Sequence, residues 1–255
     1  MYLKEYQIRV VREITNFFET AEKTKNAIEK AIKGLPEDQR HLLNWVQATF
    51  NSLQIEYKDI SKNGLDNFYP RIVMKVPTAG GKTLLAVEAI KKYQNIYAKK
   101  STGLIVWIVP TESIYQQTVQ NLKDKSHYLR QLVDQCSGGR TIILEKGEKI
   151  NMQDIEENLV ILFVMIQSIS RKNNKEALKV FQDSGGFENF FPPDNRYDLH
   201  QILLNEIPNL DYISDPIIRK NIVKTSLGNV IRCSKPFIII DEMHLVFTPK
   251  IGRAS

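Results

Sequence analysis

A chain of 255 residues, 42% hydrophobic and 25% charged, carries enough apolar material for one large α/β domain or two small ones without disulfide support. Its two cysteines, Cys136 and Cys233, are far apart and form no CxxC pair or Cys/His cluster, which argues against a structural zinc site or disulfide scaffold and points to a reducing cytoplasm. A formal net charge of +6 and a pI near 9.1 permit a polyanionic partner, yet the excess lysines (Lys23, Lys25, Lys91, Lys92, Lys99, Lys100, Lys172, Lys175) are dispersed, and any one reads equally well as part of a solvated helix face.

The opening decapeptide "MYLKEYQIRV" lacks the basic-then-apolar pattern of a secretory signal, and no apolar run reaches the roughly 18 residues a membrane span requires. A soluble, cytoplasmic protein without a membrane partner is expected. Residues 3–33 read as a helix, with Ile8, Val11, Ile14, Phe17 and Phe18 at three-to-four spacing and Gly34-Leu35-Pro36 as the stop. A second helical stretch over about 37–53 carries Leu42, Leu43, Trp45, Val46 and Phe50. Beyond Pro70, short β-branched runs alternate with longer amphipathic stretches, the mark of a parallel sheet covered by helices. Strands are expected at 71–76, 103–109, 141–144, 159–164 and 236–240, with crossover helices at 83–98 and 112–134. Residues 171–234, with "DSGGFENFFPPDNRYD", read as a loop-rich insertion rather than an independent domain. The expected organisation is one lobe over 1–255: a helical segment over 1–69, a sheet core over 70–170 and 235–255, and the 171–234 insertion between.

Two stretches carry chemistry. In "IVMKVPTAGGKTLLAVEAI", Gly80-Gly81-Lys82-Thr83 stands between an expected strand and an expected helix. The strict GxxxxGK[ST] pattern fails because Val76 occupies the place of its first glycine, but the half that does the physical work is present. Glycines let backbone N–H groups close on phosphate oxygens, Lys82 reaches the β and γ phosphates, and the Thr83 hydroxyl binds magnesium at a helix N-terminus that favours anions. In "KPFIIIDEMH", an apolar strand ends in two carboxylates at the carboxyl edge of the sheet, where ligands of open α/β sheets bind. Asp241 there is suited to hold magnesium through water, and Glu242 to orient or deprotonate the attacking water. Taken alone, the two acidic residues read as well as a cap for a following helix.

"DEMH" resembles the DExH box of superfamily 2 helicases and translocases, and "VPTAGGKT", with Thr78 and Ala79 ahead of the glycines, resembles their nucleotide loop, in which the first glycine is often missing. "LKEYQIRVV" is similar to their "LRxYQ" block and makes Gln7 the residue that reads the adenine edge; alone, Tyr6-Gln7 reads as a surface pair on a helix start. "IVPTESIYQQT" resembles the "PTxxLxxQ" block lining the nucleic-acid path, which implies strand contacts from Pro110, Thr111 and Gln117, although Thr111 also reads as a plain N-cap. "LVILFVMIQSI" is similar to the later "TxQS" block, with Met165 where a polar Thr is usual. The resemblance gives His244 a role coupling nucleotide to the strand-binding side. His41, His127 and His200 lack ligand-like spacing, and Trp45 and Trp107 read as core residues.

The helical stretch between Gln7 and Gly81 and the long insertion before Asp241 look most like the restriction subunit of type III restriction-modification enzymes; type I motor subunits and stand-alone helicases remain open. That resemblance implies a RecA-like P-loop lobe using ATP and Mg2+, working with double-stranded DNA, a modification (methyltransferase) subunit and a second RecA-like lobe. Since the sequence stops at Ser255, soon after His244, the expectation is a C-terminally truncated lobe without its arginine finger, a loss worth about 10³ to 10⁵ in rate, and with a gap in the sheet beside the acidic strand. Two other readings stay open: a nucleotide-binding remnant or interaction module without turnover, complemented by a partner chain, and a P-loop kinase or small-molecule ATPase.

Overall fold

The computed structural model describes residues 3–36, 39, 43–57, 63, 65, 67–77, 80–145, 147–165, 178–181, 186–214, 217 and 219–241. The chain forms two compact units, Met1–Ser101 and Thr102–Ser255.

The first unit is built on α1 (Glu5–Lys33), whose buried residues Gln7, Ile14, Phe17, Phe18 and Ala21 fall on one face at the three-to-four spacing of its sequence. Against it pack α2 (Trp45–Ser52), α3 (Lys82–Lys92) and a π-helical turn over Tyr93–Ala98. Asn44 caps α2, its Oδ1 accepting the N–H groups of Val46 and Gln47 at 3.0 and 3.1 Å. Phe17 meets Phe50 edge to face, Phe18 meets Tyr93, and Tyr97 stacks on both Tyr93 and Trp45, with the Lys25 ammonium 5.3 Å above the Tyr97 ring. Burial pushes the Tyr93 and Tyr97 phenols up, which keeps both neutral inside this cluster.

The second unit follows the order β1 (Gly103–Val109), α4 (Glu112–Lys123), α5 (Tyr128–Ser137), β2 (Thr141–Glu145), α6 (Met152–Glu157), β3 (Leu159–Met165), α7 (Leu178–Phe181), α8 (Tyr197–Glu206), β4 (Tyr212–Ser214), β5 (Asn221–Val223), α9 (Leu227–Ser234) and β6 (Phe237–Ile240). Four of these strands form a parallel sheet in the order β2-β3-β1-β6. β1 and β3 are central and buried almost throughout, which is why they read as unbroken apolar runs rather than alternating ones. Alternate residues still separate the faces. Leu104, Val106 and Ile108 join Val160, Leu162 and Val164 in one cluster with Val180, Phe191, Leu204, Leu227 and Val230. Toward the other side Trp107 stacks on Phe163 at 5.3 Å, and Tyr115 of α4 meets Phe163 edge-on.

The α/β class with a mostly parallel, helix-flanked sheet stands as expected. Three details differ from the sequence reading. Residues 71–76 carry no strand; Ile72, Val73 and Met74 are exposed at 38, 66 and 38%. A strand exists through its ladder partner, and among the described residues this apolar run has none. The expected single helix over 112–134 is two, because Asp124 accepts from the N–H and hydroxyl of Ser126 in a local turn that competes with helix, and His127 Nδ1 then caps α5 by accepting the Leu129 N–H. The insertion is more ordered than loop-rich: α8, α9 and the β4–β5 hairpin form within it, and its apolar side chains cover a face of the sheet. Among the described residues, no helix is long and apolar enough to cross a membrane.

Candidate active site

In the first unit, the glycine pair closes a tight turn that opens directly into α3. The Gly80 N–H donates to the Pro77 carbonyl at 2.9 Å, and the Leu85 N–H donates to the Gly81 carbonyl at 3.0 Å, closing the first turn of the helix. Gly81 has φ +73° and ψ +39°, the left-handed region that costs a side-chain-bearing residue about 1–2 kcal/mol. Space requires glycine at position 80 and crowds a side chain at position 81. A Cβ on Gly80 would lie 2.7 Å from the Pro77 carbonyl oxygen and from Val76 Cγ1; a Cβ on Gly81 would lie 2.6 Å from Gln7 Nε2. Lys82 and Thr83 are the first two residues of the eleven-residue helix, both half-buried, where the positive end of the helix dipole acts.

Gln7 is buried and makes two hydrogen bonds. Its Oε1 accepts the Lys4 N–H at 2.9 Å, the return half of a capping box at the start of α1, and its Nε2 donates to the Gly80 carbonyl at 3.1 Å. Tyr6 adds a second donor to the same carbonyl, its hydroxyl lying 2.5 Å from Gly80 O. Two consecutive residues of α1 therefore hold one carbonyl of the glycine turn. Tyr6 was legible only as half of a surface pair, since nothing local in the sequence joins it to a glycine 74 positions later.

In the second unit, three strands end together at the carboxyl edge of the sheet: Val109 pairs with Met165, Ile108 pairs with Ile240, and the ladder brings Asp241 to the end of β6. Asp241 donates its N–H to the Ile108 carbonyl at 2.9 Å, which fixes it beside the Pro110-Thr111 turn. Pro110 is buried, while Thr111 and Gln117 are exposed on the segment that enters α4 and on its first turns. Thr111 stands at the N-cap position of α4 without a capping side-chain bond; its hydroxyl lies 3.4 Å from that of Ser113. Thr78, Ala79, Glu242 and His244 lie outside the described residues.

The helix-opening glycine turn and the strand-end carboxylate thus each occupy a position from which phosphate and metal chemistry is done. The type III restriction enzyme, res subunit, family matches residues 1–252. The chain belongs to this family. No curated protein and no solved structure matches it. As a res-subunit family member it carries an ATP-binding, helicase-like lobe, of an enzyme family that generally uses ATP and Mg2+. The residues present fit that chemistry: two glycines close the turn, the second in a left-handed conformation, and a lysine and a threonine begin the helix behind them.

Proposed function

We propose that this chain is the motor lobe of a type III restriction enzyme, binding ATP and magnesium and coupling ATP hydrolysis to movement along double-stranded DNA. The observation that carries the reading is the glycine turn: Gly81 in a left-handed conformation at the entry of α3, with Lys82 and Thr83 as the helix's first residues. In this reading Lys82 neutralises the β and γ phosphates, and Thr83 and Asp241 hold magnesium, which supplies charge stabilisation on the phosphate oxygens. Glu242 positions and deprotonates the attacking water, Gln7 reads adenine, Thr78 and Ala79 complete the loop, and His244 couples nucleotide to the strand-binding side. Pro110, Thr111 and Gln117 contact the DNA backbone. A second RecA-like lobe and a modification (methyltransferase) subunit are the protein partners, the latter supplying recognition of the DNA site.

Magnesium-dependent ATP turnover, measured with and without double-stranded DNA on the chain and on Glu242→Gln, tests the proposal. DNA-stimulated turnover that vanishes in the variant is the expected result. Tight magnesium-ATP binding with no turnover under either condition would support a nucleotide-binding module that requires a partner chain.

A further inference from the structure

The Gly80 carbonyl accepts two hydrogen bonds from neighbouring residues of α1, from the Tyr6 hydroxyl at 2.5 Å and from Gln7 Nε2 at 3.1 Å. A peptide unit is planar and trans, so the carbonyl of Gly80 and the N–H of Gly81 point in opposite directions. Holding the oxygen against α1 therefore turns the Gly81 N–H away from α1. Without that hold, the Gly80–Gly81 unit is the part of the turn most free to rotate, because glycine on both sides tolerates both signs of φ. A rotated unit would place a carbonyl oxygen where an N–H is needed and would repel an anion instead of receiving it.

We propose that Tyr6 is a positioning residue for the phosphate loop, its hydroxyl fixing the Gly80–Gly81 peptide so that the Gly81 N–H is presented to the triphosphate of the nucleotide. The proposal rests on the reading of residues 80–83 as a phosphate-binding loop and adds to it a residue that never touches the ligand. Tyr6 and Gln7 divide the task. Gln7 is held at its other end by the Lys4 N–H and crowds any side chain at position 81, whereas the Tyr6 hydroxyl donates to the carbonyl alone among the described residues. Removing that hydroxyl alters the aim of the loop and leaves the ring in place.

Magnesium-ATP and magnesium inorganic triphosphate are titrated against the 255-residue chain, Tyr6→Phe and Lys82→Ala, with thermal unfolding of each. Inorganic triphosphate reads the loop without adenine. The expected result for Tyr6→Phe is weakening of both ligands by the same factor, about three- to tenfold, the range one neutral hydrogen bond supports, at a melting temperature close to that of the parent. Unchanged triphosphate affinity in Tyr6→Phe, beside its loss in Lys82→Ala, overturns the role of Tyr6 and leaves the loop standing. A parent chain that binds neither ligand, or Lys82→Ala binding as the parent does, overturns the loop reading and the role of Tyr6 with it. Should Tyr6→Phe not fold, the Gly81 amide resonance of the 15N-labelled parent chain decides: a downfield shift on adding inorganic triphosphate is expected, and an unmoved resonance at saturation overturns the proposal.

Discussion

The Asp241 N–H donates to the Ile108 carbonyl at 2.9 Å, one step past the last β1–β6 ladder pair, so a backbone hydrogen bond carries the residue to the carboxyl edge of the sheet. Changing the carboxylate to an amide keeps that backbone bond. Asp241→Asn, close in shape to the parent side chain, is expected to change stability by no more than about 1 kcal/mol, the centre of the range for point substitutions. Glu242→Gln should lower magnesium-dependent ATP turnover by about 10²- to 10⁴-fold, the span ascribed to a general base. Parallel melting curves and phosphate-release assays check this, and a variant that retains turnover would remove Glu242 from the mechanism.

Gly81 and Gly138 offer a matched pair. Both have positive φ, +73° and +64°, and each stands at a helix end. A Cβ on Gly81 would meet Gln7 Nε2 at 2.6 Å, whereas one on Gly138 would meet nothing within 4 Å. Alanine at either position should cost about 1–2 kcal/mol for the left-handed backbone. Only Gly81→Ala should also weaken magnesium-ATP binding, by at least about tenfold if it displaces the turn by one lost interaction of about 1.4 kcal/mol. Equal loss of affinity in both variants would show that general destabilisation, not the loop, is being measured.

Acid stability should depend on a cluster at the end of β2. Lys123 Nζ lies 2.7 Å from Glu145 Oε1 and 3.7 Å from Glu148 Oε1, and the Tyr115 hydroxyl donates to Glu145 Oε2 at 3.0 Å. The hydrogen bond from Lys123, then that from Tyr115, holds the Glu145 carboxyl below its usual range. A depressed carboxylate contributes stability that is present above its unfolded pKa, about 4.3, and is lost as pH falls through the folded value. Lys123 is pushed up by the same hydrogen bond, so its share is lost only as pH rises through its raised value. The pair is partly exposed, and its worth is about 0.2–1 kcal/mol. Lys123→Met should flatten the fall in urea stability between about pH 5 and 3 relative to the parent. An identical acid limb in the two proteins would remove the cluster from acid stability.

The legible parts of the chain were those in which local pattern and tertiary role coincide. The apolar runs 103–109 and 159–164 read as strands, and they are the two central ones. The run 71–76 is also mostly apolar, with Arg71 and Lys75 within it, but a ladder also needs a neighbour, and no single-strand pattern encodes one. The α4–α5 break depended on Asp124 and His127 bonding their own backbone, an outcome that competes with helix at every such residue and is decided by a few tenths of a kcal/mol. Within the candidate site, the glycine turn was visible because glycine has few other reasons to stand before Lys82-Thr83. The hold of Tyr6 on Gly80 was not, because a contact across 74 positions leaves no local trace.

Asn229 shows why the insertion behaves as part of the sheet's own core. Its side chain is fully buried and spends every polar capacity: Oδ1 accepts from the Asp211 N–H at 2.9 Å and from Arg232 Nη1 at 2.8 Å, while Nδ2 donates to the carbonyls of Asp211 and Lys224 at 2.8 and 2.9 Å. These bonds tie the approach to β4 and the segment after β5 onto α9, whose Leu227 and Val230 pack in the cluster with Val106 and Leu162 of the central strands. Asn229→Ala would leave the Asp211 N–H without its partner, at about 1–3 kcal/mol if it cannot find water, while the Asp211 and Lys224 carbonyls keep the N–H groups of Lys224 and Ser226 at 3.0 and 2.9 Å. A loss of about 2 kcal/mol is therefore expected, above the about 1 kcal/mol typical of a point substitution. Because Trp107 lies on β1 and is fully buried, its fluorescence in urea, read in a Trp45→Phe background, reports whether that loss reaches the sheet. A lower midpoint read by Trp107 is the expected outcome. An unchanged midpoint would mean that the insertion loosens by itself, and that the sheet does not depend on the face it covers.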